Sequence, residues 1–147
     1  MRSRLWVGLW LILVVACSGE KNKPEGLIGH YMAIKDALVA TNATAASKAA
    51  QNFLEENPDE ALKAPLTKIA NTKNVAKQRQ AFETLSMQMY SFVKKNAPEV
   101  PLYKQYCPMA FNDKGAYWLA TEQRVNNPYF GDIMLHCGFV QEKISSE

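Results

Sequence analysis

Apolar positions fall into two regimes along the chain, one helical and one extended. From Gly26 to about Ala97 they recur at helical spacing. Leu27, Tyr31, Ile34 and Leu38 share a stripe, with Ile28 and Val39 beside it. Thr41-Asn42-Ala43-Thr44 breaks that helix and can cap the next. The second helix runs through Ala46, Ala49, Ala50, Phe53 and Leu54, a mostly small inner face that allows close helix approach. Asn57-Pro58-Asp59 is the second break, with Pro58 as terminator and Asp59 as N-cap. Leu62, Leu66, Ile69 and Ala70 predict a third helix, which Pro65 delays or kinks. After Asn71 to Asn74, a fourth is striped by Val75, Phe82, Leu85, Met89, Phe92 and Val93 and stops before Pro98. Four amphipathic helices with short connections predict an antiparallel bundle.

The segment from Pro101 to Ile144 holds eight of the thirteen aromatic residues found beyond Ala16. Tyr103 to Phe111 and Ala116 to Ala120 read as extended pieces joined by Asn112-Asp113-Lys114-Gly115, a composition that suits a hairpin. Asn127-Pro128 and Gly131-Asp132 mark further turns, and Met134 to Gln141 fits a strand or a short helix equally well. The fold class that follows is mainly α: about four helices with a small C-terminal β-hairpin or irregular module, residues 101–144, carrying a Cys-Pro-Met motif. Tyr117, Trp118, Tyr129 and Phe130 are assigned to that module's core in preference to a sugar platform.

The N-terminus changes the picture of the working chain. Arg2 and Arg4 precede an apolar run from Leu5 to Val15, broken only by Gly8. That run is too short for a membrane span of about 20 residues and has the layout of a secretory signal. Val14-Val15-Ala16-Cys17 resembles the bacterial lipobox, so residues 1–16 are expected to be removed and Cys17 lipidated. Residues 17–25 form a polar tether, and 26–147 form one domain. Acyl chains on Cys17 would hold the protein at a membrane surface, with Ser18 favouring the outer membrane. Without Arg2 and Arg4 the chain has 15 basic and 14 acidic residues. That balance, with no basic cluster, excludes a nucleic-acid binder that relies on a positive field.

Two short strings concentrate the chemistry: Tyr106-Cys107-Pro108-Met109-Ala110-Phe111 and Met134-Leu135-His136-Cys137-Gly138. Together they offer two thiols, two thioethers and an imidazole, a soft donor set that suits Cu(I) and, with imidazole, Zn(II). If the first string is extended, Cys107 and Met109 point to one side. In the second, an extended chain pairs Met134 with His136 and a helical one pairs Met134 with Cys137. In an exported protein the two cysteines suit a structural disulfide as well as a metal. Nothing in the chain reads as an enzyme: no nucleophile elbow is present, and Cys107 with His136 lacks an orienting acid. His30 reads as a helix-face residue.

Tyr31 to Val39 (YMAIKDALV), Gln78 to Phe82 (QRQAF), Tyr106 to Ala120 (YCPMAFNDKGAYWLA), Asn127 to Leu135 (NPYFGDIML) and Cys137-Gly138 resemble a bacterial envelope family, domain-of-unknown-function family 3347. The resemblance spans roughly residues 27 to 143. Members of that family occur as small lipoproteins and as a domain appended to periplasmic adaptor subunits of heavy-metal efflux pumps of the CusB type. The resemblance implies that Cys107, Met109, Met134 and Cys137 are metal-binding positions; His136 stands outside the positions it marks. The expectation is a lipid-anchored, periplasm-facing protein that binds Cu(I), or else Zn(II), as a chaperone or efflux accessory. Its partners would be the membrane and an efflux adaptor or copper-accepting protein, with no nucleic acid. The alternative is a disulfide-stapled scaffold module of an envelope complex.

Overall fold

A computed structural model describes residues 24–56 and 58–145. The expected signal run, the lipidation site Cys17 and most of the tether lie outside the described residues. Four long helices come first: α1 (Pro24–Val39), α2 (Ala43–Glu55), α3 (Glu60–Ala70) and α4 (Val75–Lys95). The mainly-α expectation holds. One boundary moves: α1 starts at Pro24, inside the stretch read as tether. A proline at the first helical position loses nothing, because its missing N–H would have had no partner there. The expected caps at Asn42 and Asp59 are in place, and Asn74 adds one where the sequence marked only a break. The Asn42 and Asn74 side chains accept from the amides of Ala45 and Lys77 at 2.9 and 3.0 Å, and Asp59 accepts more weakly from Ala61 at 3.4 Å. Pro65 neither delays nor interrupts α3, which runs through it.

The predicted stripes form the core. Tyr31, Ile34, Leu38, Phe53, Leu66, Ile69, Phe82, Leu85 and Met89 are all fully buried. Ala46 and Ala50 let α2 approach its neighbours, and the Ser47 hydroxyl donates to the Ala70 carbonyl at the end of α3. The Gln78 side-chain amide, fully buried, donates to the Ala43 and Thr72 carbonyls at 2.8 Å each and so ties α4 to two helix ends.

The C-terminal part is a three-stranded antiparallel sheet in the order β2-β1-β3, built from β1 (Leu102–Cys107), β2 (Ala116–Ala120) and β3 (Phe139–Ile144). The hairpin of β1 and β2 was expected, but β1 stops at Cys107 instead of running to Phe111. Pro108 has no amide to give the ladder, and Phe111, Asn112 and Asp113 then turn through left-handed backbone at φ 54°, 57° and 62°. The ambiguous segment from Met134 to Gln141 is neither one strand nor one helix. A single 3-10 turn covers Gly131–Met134, and β3 begins at Phe139.

Register places Gln105 opposite Trp118 and Cys107 opposite Ala116 on one face. Lys104, Tyr106, Tyr117 and Leu119 occupy the other, which meets α4. There the Lys104 ammonium lies 4.6 and 4.3 Å from the ring centres of Tyr90 and Tyr117. Glu142 accepts from Tyr90 and Lys94 at 2.7 and 2.8 Å. The Cys107 face is covered by the segment after β2. Gln105 donates to the Glu122 carbonyl at 2.8 Å, and Tyr129 packs edge-on against Trp118 at 5.8 Å. Trp118 and Tyr129 are buried, spent on the core as expected.

Candidate sulfur site

The antiparallel register builds the site. Tyr106 pairs with Phe139, so the residue just before β3 faces the end of β1. There Gly138 has a φ of +135°, and a Cβ on it would stand 2.7 Å from the Tyr106 carbonyl oxygen. Only glycine lets the chain pass so close. One residue earlier, Cys137 meets Cys107 with 2.8 Å between the two Sγ atoms. Both are free thiols. Cys107 is fully buried and Cys137 half-buried. Two strings thirty positions apart thus converge on one pair of sulfur atoms.

The remaining sequence-predicted donors surround the pair unequally. Met109 is not on the strand beside Cys107, as an extended string would require. It begins the turn after Pro108, its side chain 47% exposed. Its backbone amide nevertheless favours the ionised form of the Cys137 sulfur. Met134, half-buried, accepts the Cys137 amide on its carbonyl at 3.0 Å. Both methionines therefore act on Cys137 through their backbones, and only Met134 by a direct hydrogen bond. His136 is exposed and otherwise engaged: its Nδ1 lies 2.7 Å from the Val125 carbonyl oxygen and its Nε2 3.4 Å from the Arg124 guanidinium. His30, on α1, stacks on Phe53 at 5.5 Å and lies far from these strings in the chain. Among the described residues, no three or more His, Cys, Asp or Glu side chains form a group that could hold a metal. Any site here rests on two thiols supplemented by thioether or backbone donors.

The hydrogen bond with Cys107, then burial, then the neighbouring charge push the Cys137 thiol up to about 11; the Met109 amide opposes them. The first proton lost from the pair therefore leaves the second sulfur harder to ionise, and a metal ion must displace protons to bind.

Sequence reasoning treated Asn127 only as a turn marker. It is fully buried, and its side-chain amide donates to the Cys137 carbonyl at 2.8 Å. Arg79 was not singled out as functional either. Its Nε donates to the Pro128 carbonyl at 2.8 Å, and its Nη2 to the Leu38 carbonyl and the Thr41 hydroxyl at 3.1 Å each. It thereby fastens the segment after Asn127 to the end of α1. Gly131, at φ +62°, fits beneath it: a Cβ there would lie 2.4 Å from Thr41 Oγ1 and 2.8 Å from Arg79 Nη2. Phe82 meets Tyr129 at 6.0 Å in the same region. The QRQAF and NPYFG strings are thus neighbours in space. A buried Lys35 reaches from α1 to Glu122. Burial raises the Glu122 carboxyl, but the hydrogen bond and charge of Lys35 outweigh it and hold the group below its ordinary value.

Residues 27–99 match a family described as protein of unknown function, DUF3347.

The match supports placing the chain in DUF3347. It covers the four helices and stops before β1, so the sulfur strings lie beyond it. No curated protein and no solved structure matches the chain. No helix among the described residues is long and apolar enough to cross a membrane.

Proposed function

We propose that the protein is a DUF3347 family member, lipid-anchored and periplasmic, that binds a soft metal ion, Cu(I) in preference to Zn(II). Its role is that of a chaperone or accessory of heavy-metal efflux. The observation that carries the reading is the 2.8 Å approach of Cys107 and Cys137. Cys107 and Cys137 supply thiolates, and Met109 and Met134, two and three positions away on the same strings, supply weaker thioether contacts. A site with one buried and one accessible sulfur can retain an ion and still release it to a partner through the accessible side. The secretory layout of residues 1–16 and the lipobox-like Cys17 support the location.

Titration of the reduced protein with Cu(I) against a coloured chelator tests the site. The wild type is expected to withdraw one equivalent, and Cys107→Ser combined with Cys137→Ser to lose at least about a hundredfold in affinity, as removal of both site thiolates demands. Equal competition by the double variant removes the thiolate site. The same sulfur pair also favours a second reading, a disulfide-stapled scaffold. That reading requires reductant to lower the melting temperature while Cu(I) leaves it unchanged.

A further inference from the structure

We infer that Asn127, which belongs to neither sulfur string, is the positioning residue that holds Cys137 against Cys107. The inference goes beyond metal binding and does not depend on it. Asn127 is fully buried and every one of its polar groups is engaged, two of them on the segment around Cys137. Its Nδ2 donates to the Cys137 carbonyl and its backbone amide to the Leu135 carbonyl, each at 2.8 Å. Its Oδ1 accepts the Tyr129 amide at 2.8 Å, and its carbonyl accepts the Gly131 amide at 2.9 Å. A buried asparagine satisfied in this way fixes one arrangement, because each alternative leaves a buried polar group without a partner.

The latch is itself anchored. The Tyr129 hydroxyl donates to the Tyr117 carbonyl on β2 at 2.6 Å. Its ring packs against Phe111, Trp118 and Phe82, at 5.2, 5.8 and 6.0 Å. Arg79 holds the intervening Pro128 carbonyl to α4 and to the end of α1. The path from the helical core to the Cys137 backbone is therefore Arg79 and Tyr129, then Asn127, then the Cys137 carbonyl. On the other side, Cys107 needs no such help, because β1 is paired on both edges. Of the two sulfurs, Cys137 is the one whose place must be enforced.

Thiol–disulfide exchange measures that enforcement without any metal. The protein dithiol reacts with glutathione disulfide. One thiolate attacks to give a mixed disulfide and releases a glutathione thiol; the second protein thiol displaces the other glutathione. Two protein S–H bonds are thus exchanged for one S–S bond and two glutathione thiols. The equilibrium constant reports the effective concentration of the two protein sulfurs.

The full chain is equilibrated in glutathione buffers as wild type, as Asn127→Ser and as Asn127→Ala. Asn127→Ser keeps an acceptor for the Tyr129 amide but cannot reach the Cys137 carbonyl. Both variants are expected to lower the exchange constant by about tenfold, the factor carried by one buried hydrogen bond. That corresponds to a potential raised by about 30 mV. Leu66→Ala, which weakens the bundle away from the sulfurs, is expected to leave the constant unchanged. An exchange constant within about twofold of wild type in folded Asn127→Ser would overturn the proposal. So would an equal drop in Leu66→Ala. If neither Asn127 variant folds, hydrogen exchange on the reduced wild type decides. The Tyr129 and Cys137 amides should exchange through one common opening, and exchange of the Cys137 amide while the Tyr129 amide stays protected refutes the latch.

Discussion

From α1 to α4 the buried side chains are mostly apolar and the backbone is ordinary, with Thr41 at φ 53° the exception before Lys95. From Leu102 to Ile144 the buried side chains are again mostly apolar, and it is the backbone that differs. Gln105 and Asn127 are fully buried, Phe111, Asn112 and Asp113 are left-handed, and Gly115, Gly131 and Gly138 all have positive φ. The first region is held by many exchangeable contacts, the second by a few that are not. Left-handed non-glycine residues each cost on the order of 1–2 kcal/mol, so the turn after Cys107 persists only because its surroundings enforce it. Phe111 is held by its ring on Tyr129, and Gly115 lets the Tyr106 hydroxyl sit where a side chain would otherwise be. The difference teaches where to look for chemistry: backbone held against its preference collects around the sulfur pair.

The sharpest way to break the comparison is a substitution at the seam. Phe82 stacks on Tyr31 at 5.0 Å and touches Tyr129. Phe82→Ala should cost about 3–5 kcal/mol, measured by urea unfolding. Trp118 is the only tryptophan beyond Trp10, so its fluorescence follows the module while the helical circular-dichroism signal follows the bundle. Coincident transitions are expected, since Tyr31 reaches across to accept the Leu119 amide at 3.1 Å. Separate transitions would show that the regions unfold independently.

A pair of glycines sharpens the contrast further. Gly29 lies in α1 with nothing within 4 Å of a new Cβ, whereas Gly131 has Thr41 and Arg79 in the way. Gly29→Ala should stabilise by about 0.5–1 kcal/mol through chain entropy. Gly131→Ala should destabilise by roughly 1–3 kcal/mol, through left-handed strain and a displaced Arg79. Equal effects at the two positions, read by the same unfolding assay, would erase the distinction between the regions.

The same division explains what the sequence disclosed. Leu62, Leu66 and Ile69 announce a helix because burial there depends on spacing alone, and Asn42 and Asp59 announce helix starts because capping is local chemistry. The hairpin was legible from the turn composition Asn112-Asp113-Lys114-Gly115 between two extended pieces. The end of β1 was not, because a local rule favouring extension met Pro108 and a turn stabilised from outside the string. That Cys107 and Cys137 meet depends on the β1–β3 register, which no spacing encodes. Asn127 looked like turn punctuation, since its partner Cys137 lies ten residues on and is chosen by tertiary packing. Arg79 could have been suspected from one signal, a charged residue adjoining the buried stripe of α4.

The smallest expected effect concerns the sulfur pair and carries a definite sign. Cys137 is pushed up to about 11 from an ordinary value of 9.0, chiefly by its hydrogen bond with Cys107. The folded chain therefore keeps a proton that the unfolded chain gives up between those values. Stability from this group is complete below about pH 9 and is lost as pH rises towards 11. Tyr31 and Tyr129, raised by burial, act in the same direction at still higher pH and are present in every variant compared. Urea midpoints of reduced wild type and Cys137→Ser should therefore be followed from pH 8 to 11. The wild type is expected to lose more over that interval, and the two curves to converge at its alkaline end. Parallel curves would mean that the thiol proton is not held by Cys107, and that the two sulfurs, though adjacent, do not act as a pair.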